Sequence, residues 1–389
     1  MTALKLAYRN LAGAGLRTWL NVFVLSLAYV IIIWHKGILD GWNEQARQDI
    51  IDWEIGAGMY WHDQYDPYDP FTLADAHAPI PEIPELIDES TPVLVSQATI
   101  YPQGRIQGAL LRGIDPDQQI LKLPSELLAR ETENSEIPAI IGTRMAGNTH
   151  LKAGDRLTVR WRDADGTFDA AELVIKDIFK TTVQPVDVGQ IWIPLGRLQD
   201  MLGIPGEATL IVMGKAVPGL TDLPGWQLKT QADLLAQFEV IMRQKSIGGS
   251  FLYIILLALA MLAVFDTQIL SIWRRQKEIG THIALGMTRT QVIGLFTLEG
   301  AMHAVLAAFM AALWGIPFLS IQAVRGFRMP AAADDYGLAL AESIFPRYSI
   351  GLVISTIIIV LITSTIVSYL PARRIAGMKP TDAIKGKIQ

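Results

Sequence analysis

The chain contains no cysteine, and that single absence removes disulfide bonds, thiolate metal sites and thiol catalysis together. Other signatures of chemistry are missing too. A phosphate-cradling GxxxxGK[ST] segment is absent, because Gly214-Lys215 is followed by Ala216 and Gly386-Lys387 by Ile388. Hydrolysis of ATP in the P-loop manner is therefore excluded for this chain. The histidines, His35, His62, His77, His150, His282 and His303, are scattered with no HExxH pair, which leaves a metal hydrolase without its ligands. No GxSxG is present to anchor a serine hydrolase. We accordingly expect no catalytic residue, no metal site and no bound cofactor, and thus a chain that is not an enzyme.

What the chain has in quantity is apolar sequence. Of its 389 residues 51% are hydrophobic, and the mean hydropathy is +0.30 although 18% are charged, the profile of a few intensely apolar runs diluted by a polar domain. Phe251 to Ile272 carries one charge, Asp266, and Ile350 to Leu370 carries none. As helices each is about 30 Å long at ~1.5 Å per residue, enough to cross a bilayer. Val292 to Ile321 is interrupted only by Glu299 and His303, and can cross with tilt or a bend near Gly315-Ile316-Pro317. Trp19 to about Gly37 holds Asn21 and Ser26, yet Lys5, Arg9 and Arg17 precede it and Trp19 and Trp34 sit where interfacial aromatics belong. With no small-residue cleavage pattern after it, this run reads as a retained anchor.

Basic residues set the orientation. Residues 1–18, 274–290 and 371–389 together hold twelve Lys and Arg against two acids, Glu278 and Asp382. The positive-inside rule places all three in the cytoplasm. The reading is a multi-pass protein of the inner membrane with both termini cytoplasmic. It comprises an amphipathic segment 1–18, spans at 19–37, 250–273, 291–323 and 348–370, a cytoplasmic helix at 274–290, an outer loop at 324–347 and a tail at 371–389. Residues 38–249 lie outside, with 17 basic against 31 acidic residues, net −14 where the whole chain is −5. Such a surface repels nucleic acid.

The outer segment alternates β-type and helical runs, which predicts an α+β domain. Strands are expected at Trp53 to Tyr60, at Val93 to Tyr101 turning through Pro102-Gln103-Gly104 into Arg105 to Leu111, and at Arg156 to Trp161 turning through Asp163 to Gly166 into Glu172 to Phe179. Helices are expected after Ser125, around Thr143 to Asn148 and from Pro194 to Leu202. Leu234, Leu235, Phe238, Ile241 and Met242 follow helical spacing from Gln231 to Lys245. That stalk leads through Gly248-Gly249, a hinge or a mere flexible join, into the second span. Residues 61–71, with alternating acids, aromatics and prolines, read as a solvated loop or a contact for cargo or a partner; they lack the spacing of a calcium loop.

Two polar features interrupt the spans. Asp266 lies eight residues before Arg274, roughly 12 Å inside the membrane by helical rise, where an unpaired carboxylate is costly. It reads as interhelical glue or as part of a proton or substrate path. Glu299 and His303, four apart, share a helix face and can pair, and Glu299 is near enough to the cytoplasmic end to snorkel.

Between two of these apolar runs sits Arg275-Gln276-Lys277-Glu278-Ile279-Gly280, then Ala284-Leu285-Gly286-Met287 and Gln291-Val292-Ile293. This resembles the (R/K)xxEIGxxxALGxxxxQI signature of FtsX-like (MacB-type) ABC transporter permeases, and Phe296 to Gly300 resembles its LFxxEG continuation. Leu370-Pro371-Ala372-Arg373-Arg374-Ile375-Ala376 with Lys379-Pro380-Thr381-Asp382-Ala383-Ile384 is similar to the family's terminal PARRAAxxxPxxAL. Leu6-Ala7-Tyr8-Arg9-Asn10-Leu11 with Arg17-Thr18 is similar to its N-terminal helix.

The resemblance implies four spans, an outer domain between the first two, and a coupling helix between the second and third. On that basis Arg275, Lys277, Glu278, Ile279, Gly280, Ala284, Leu285 and Gly286 belong to the surface that docks on a separate ABC ATPase dimer, which would use ATP and magnesium. A second permease chain, identical or diverged, completes the assembly in contact with membrane lipid. Leu111 to Pro116, Ile140 to Gly142 and Leu151 to Asp155 resemble the outer domain of lipoprotein-releasing permeases, which implies a lipoprotein or other amphipathic cargo. The hairpin after Trp161 is short here, whereas the subunit that hands cargo to a soluble carrier has a longer projecting loop. Two alternatives stay open: peptide or drug efflux through a periplasmic adaptor, and mechanical activation of an extracytoplasmic hydrolase without transport.

Overall fold

The computed structural model describes residues 16–86, 89–129, 136–328 and 343–376. Most of the expected N-terminal segment, 329–342 of the outer loop and 377–389 of the tail lie outside the described residues, as do the motif residues Leu6 to Leu11 and Lys379 to Ile384. The described residues fall into two units, one made of 16–43, 242–328 and 343–376 and the other of 44–241.

Helix α1 is Leu16–Ile50, and its last turns widen into a π-helical turn at Ile51–Ile55. The expected strand from Trp53 is thereby corrected. Gly56 and Gly58 stand at φ 56° and 148°, so the helix stops at the first and extended backbone begins only at the second, as β1, Gly58–His62. Ile50, Ile51, Trp53 and Ile55 all pack on one core, as helical turns allow and an alternating strand would not.

The unit of residues 44–241 is a mixed α and β structure. Its strands are β1, β2 (Ala78–Pro79), β3 (Ser90–Ile100), β4 (Gln107–Ile114), β5 (Ile137–Gly142), β6 (Arg156–Arg162), β7 (Phe168–Phe179), β8 (Gln190–Pro194), β9 (Glu207–Ala208), β10 (Leu210–Met213) and β11 (Trp226–Thr230). Helices α2 (Thr143–Thr149) and α3 (Leu195–Leu202) match their expected places. The expected helix after Ser125 is a single 3-10 turn, Ser125–Ala129, whose first hydroxyl donates to the Pro116 carbonyl at 3.1 Å instead of extending a helix.

Nine strands form one sheet in the order β11-β1-β10-β3-β4-β8-β5-β7-β6, and β2 pairs separately with β9. One edge of β3 is shared: Ser90 to Val93 pair with β10, and Ala98 to Ile100 pair with Val159 to Trp161 of β6. The strands β3, β4, β8, β5, β7 and β6 thus close into a ring. Alternate residues from all six, among them Ile100, Leu111, Ile141, Val159, Ile175 and Ile191, make one core, with Met145 of α2 and Leu198 of α3 packed into it. The opposite face, through Val95, Ile114, Ile140 and Trp192, packs on Ile55, Leu128 and Leu235.

The other unit is helical. Its long elements are α1, α4 (Gln231–Arg274), α6 (Arg289–Arg325) and α7 (Ile350–Ala376), with the short α5 (Gln276–Ala284) between α4 and α6. Among the described residues four helices are long and apolar enough to cross a membrane. Helix α4 is unbroken through Gly248 and Gly249, and α6 through Pro317. Helix α7 continues through Pro371 to Ala376, six residues past its expected end. A short pair, β12 (Phe327–Arg328) with β13 (Ser343–Ile344), follows α6.

Close approach between the helices relies on small residues and polar contacts, as it must where lipid supplies no drive toward burial. Ala304, Ala307 and Ala311 of α6 face Val22, Leu25, Tyr29 and Val30 of α1 and Met261 of α4 in one core. Tyr29 donates to the Ala304 carbonyl and Trp314 to the Ser26 hydroxyl, each at 3.3 Å. Gly315 leaves room for Val30, and Gly37 and Gly41 leave room for Tyr348 and for the carbonyl of Phe345.

Candidate functional site

The segment between α4 and α6, residues 275–288, turns twice, and its sequence dictates both turns. Arg275 leaves helical geometry (φ −96°, ψ 16°) between α4 and α5. After α5, Gly286 takes φ 99°, and Thr288 then starts α6 with a reciprocal capping box: its hydroxyl accepts from Gln291 N at 3.3 Å and Gln291 Oε1 accepts from Thr288 N at 2.9 Å. The result is a nine-residue helix held at both ends.

Helix α5 is two-faced. Ile279 and Gly280 are buried, and Ile279 and Ile283 pack with Val292 and Phe296 of α6 and Ala372 of α7. The opposite face presents Lys277, Glu278, Thr281, Ala284 and Leu285, the last 79% exposed, with Gly286 exposed beyond it. Exposed leucine beside lysine and glutamate on a short, anchored helix is a surface suited to a protein partner.

Arg275 reaches inward. Its Nη1 donates to both carboxylate oxygens of Glu299, at 3.0 and 2.9 Å, and its Nε donates to Glu278 at 2.8 Å. The guanidinium also lies over the Phe296 ring, 5.0 Å from its centroid. Burial works against the charge of Arg275, but the carboxylates of Glu278 and Glu299 outweigh it and hold the group above its ordinary range. Glu299 is only 5% exposed, so the expected snorkelling is corrected: an arginine comes to the carboxylate rather than the carboxylate reaching water. The expected pairing with His303 runs through the backbone, His303 Nδ1 donating to the Glu299 carbonyl at 2.9 Å.

The other singled-out residues sit apart. Asp266 is exposed on α4. Gly248 has open space around it, and Gly249 faces Leu39. The structure therefore gathers Arg275, Glu278, Glu299 and His303 at one place, sets Ile279 and Gly280 beneath the surface, and leaves Lys277, Ala284, Leu285 and Gly286 on it. A neighbouring polar seam escaped sequence reasoning. Ser364 donates to the Gly300 carbonyl at 3.3 Å, and a β-carbon on Gly300 would collide with Ser368 and press on Gln268. Its signal in the sequence was the run of hydroxyl residues Thr363, Ser364, Thr365 and Ser368 within an apolar span. Among the described residues no group of His, Asp and Glu could hold a metal ion. What the arrangement offers is mechanical: a short helix with one exposed face, fixed to the spans by an ion pair and an apolar patch.

Comparison with curated proteins gave no match for the chain. Comparison with protein families matched residues 250–380 to FtsX-like permease C-terminal. That stretch contains the arginine-anchored helix together with the spans on either side of it, and residues 250–380 form an FtsX-like permease C-terminal domain by this match.

Proposed function

We propose that this chain is the transmembrane subunit of an ABC transporter, and that the exposed face of α5 docks on a separate ATPase. The observation that carries the reading is the division of α5 into a buried face of Ile279 and Ile283 and an exposed face of Lys277, Glu278, Ala284 and Leu285, within a permease domain. A helix so anchored transmits displacement instead of absorbing it.

In this reading α5 and both termini face the cytoplasm of the inner membrane, and the β-rich unit lies outside. Two permease chains, identical or diverged, work with two ATPases that supply ATP and magnesium chemistry. Closure of the ATPases moves the α5 helices, tilts the spans and displaces the outer domains, and so extracts or exports a lipoprotein or another amphipathic cargo. Nucleotide drives the cycle only through different affinities for the two permease states.

Glu278→Lys tests it. The side chain is exposed, so the chain itself should remain folded while ATPase stimulation separates from cargo movement. Unchanged assembly and unchanged transport in this variant would sink the docking assignment. Cargo is identified by the lipoproteins and lipids that copurify with the complex in mild detergent.

A further inference from the structure

We propose that the Arg275–Glu299 pair is the joint through which displacement of α5 is handed to α6, which makes both of them positioning residues and removes Arg275 from the docking surface. The proposal rests on the permease reading above and adds the route that motion takes within the chain.

Three observations carry it. First, Arg275 occupies the break between α4 and α5, with non-helical backbone, so the two are separate helices. Beside the apolar packing of Ile279 and Ile283, the Arg275 side chain holds α5 to α6, its planar fork engaging Glu299 with two contacts and Glu278 with a third. Second, Glu299 is buried and belongs to α6. Separating the guanidinium from it would strand a carboxylate away from water, so α6 follows α5 rather than letting the pair open. Third, Glu278 lies on the exposed face and shares the same guanidinium. A partner that draws on Glu278 acts one side chain away from the interior of the spans. Beyond Glu299, the next residue, Gly300, is in contact with Ser368 of α7 and Gln268 of α4, so a shift of α6 at this level reaches both neighbours.

The rival reading is a static staple that holds the fold and passes nothing on. Spin-label distances separate the two, and a chain without cysteine accepts labels only where they are introduced. One pair, Thr281→Cys with Leu370→Cys, follows α5; a second, Leu313→Cys with Ile358→Cys, follows α6 against α7. Both are measured in the complete complex with its ATPase, in membranes, with and without ATP and vanadate. The parent chain is expected to shift at both pairs. Glu299→Gln and Arg275→Lys should keep the first shift and abolish the second, while Glu299→Asp and the exchange Arg275→Glu/Glu299→Arg should restore it. A second shift that survives in Glu299→Gln overturns the joint, and so does loss of the first shift in that variant, because the pair would then serve docking. A parent chain that responds at neither pair overturns the permease reading itself.

Discussion

The backbone of Gly41 in α1 lies directly against the carbonyl oxygen of Phe345, too close for a β-carbon to fit between them. One turn earlier Gly37 lies in the same way against the Tyr348 ring, and its carbonyl accepts from Arg347 N at 2.9 Å. Two glycines four apart thus form a notch in which residues 345–348 are seated. In an exposed helix, replacing glycine by alanine stabilises by up to about 1 kcal/mol. Here Gly41→Ala should instead cost about 1–3 kcal/mol through overpacking. Thermal unfolding in detergent checks the sign, and a raised midpoint would show that the strap yields.

Asp187 is 2% exposed and accepts from both Arg144 N and Arg144 Nη1 at 3.0 Å, fastening the start of α2 to the turn before β8. Truncation leaves a helix-end donor and a guanidinium without this carboxylate. Asp187→Ala should destabilise the full chain by about 3 kcal/mol, and Asp187→Asn by less. Denaturant unfolding followed by tryptophan fluorescence reads the difference.

His62 accepts from Gln64 N at 3.3 Å and sets its ring edge-on to Trp226, 6.0 Å between centroids. Burial is the main cause of a folded pKa below the ordinary 6.5. The unfolded chain therefore takes up this proton first as pH falls, and the stability contribution, full above 6.5, is lost between 6.5 and the lower folded value. His62→Phe keeps a ring against Trp226 and should flatten the stability profile across that window. A slope equal to the parent's would assign the dependence to other groups.

Leu285 exposes most of its side chain at the end of α5, so Leu285→Asp should change the stability of the isolated chain by no more than about 0.5 kcal/mol. Association with the ATPase should weaken by at least about tenfold if this residue is a buried anchor in the complex. Titration of the purified partner against the permease in nanodiscs measures it. Equal affinities would move the docking face elsewhere on the helix.

The long elements were legible because each obeys a single strong signal. Long apolar runs with few polar residues fix the spans, and alternation with Gly or Asp turns fixes hairpins such as β6 and β7. The π-helical turn at Ile51–Ile55 reads as a strand from sequence because Trp53, Ile55 and Tyr60 satisfy β preference locally, while the two glycines that decide the matter act through backbone geometry. Closure of the six-stranded ring depends on β3 meeting β6 across some sixty residues, and no local pattern encodes that pairing. At the site, Lys277, Glu278 and Leu285 are identified through the motif they share with the family, which by itself does not separate them from the buried Ile279 and Gly280. The inward turn of Arg275 could not be read from it either, since its partner Glu299 lies 24 residues away in another helix.

The ring pairs β3, β4, β8, β5, β7 and β6 with one another, which leaves β11 at the far end of the nine-strand order; there Trp226 exchanges backbone hydrogen bonds with Leu223 at 2.9 Å, and Leu228 N donates to Asp222 Oδ1 at 2.8 Å. Lys229 on that strand is drawn inward, over the Trp61 ring of β1, 5.7 Å from its centroid. The end of the sheet is thus capped by the loop that precedes it, and less of its backbone is left for another polypeptide to extend as a further strand.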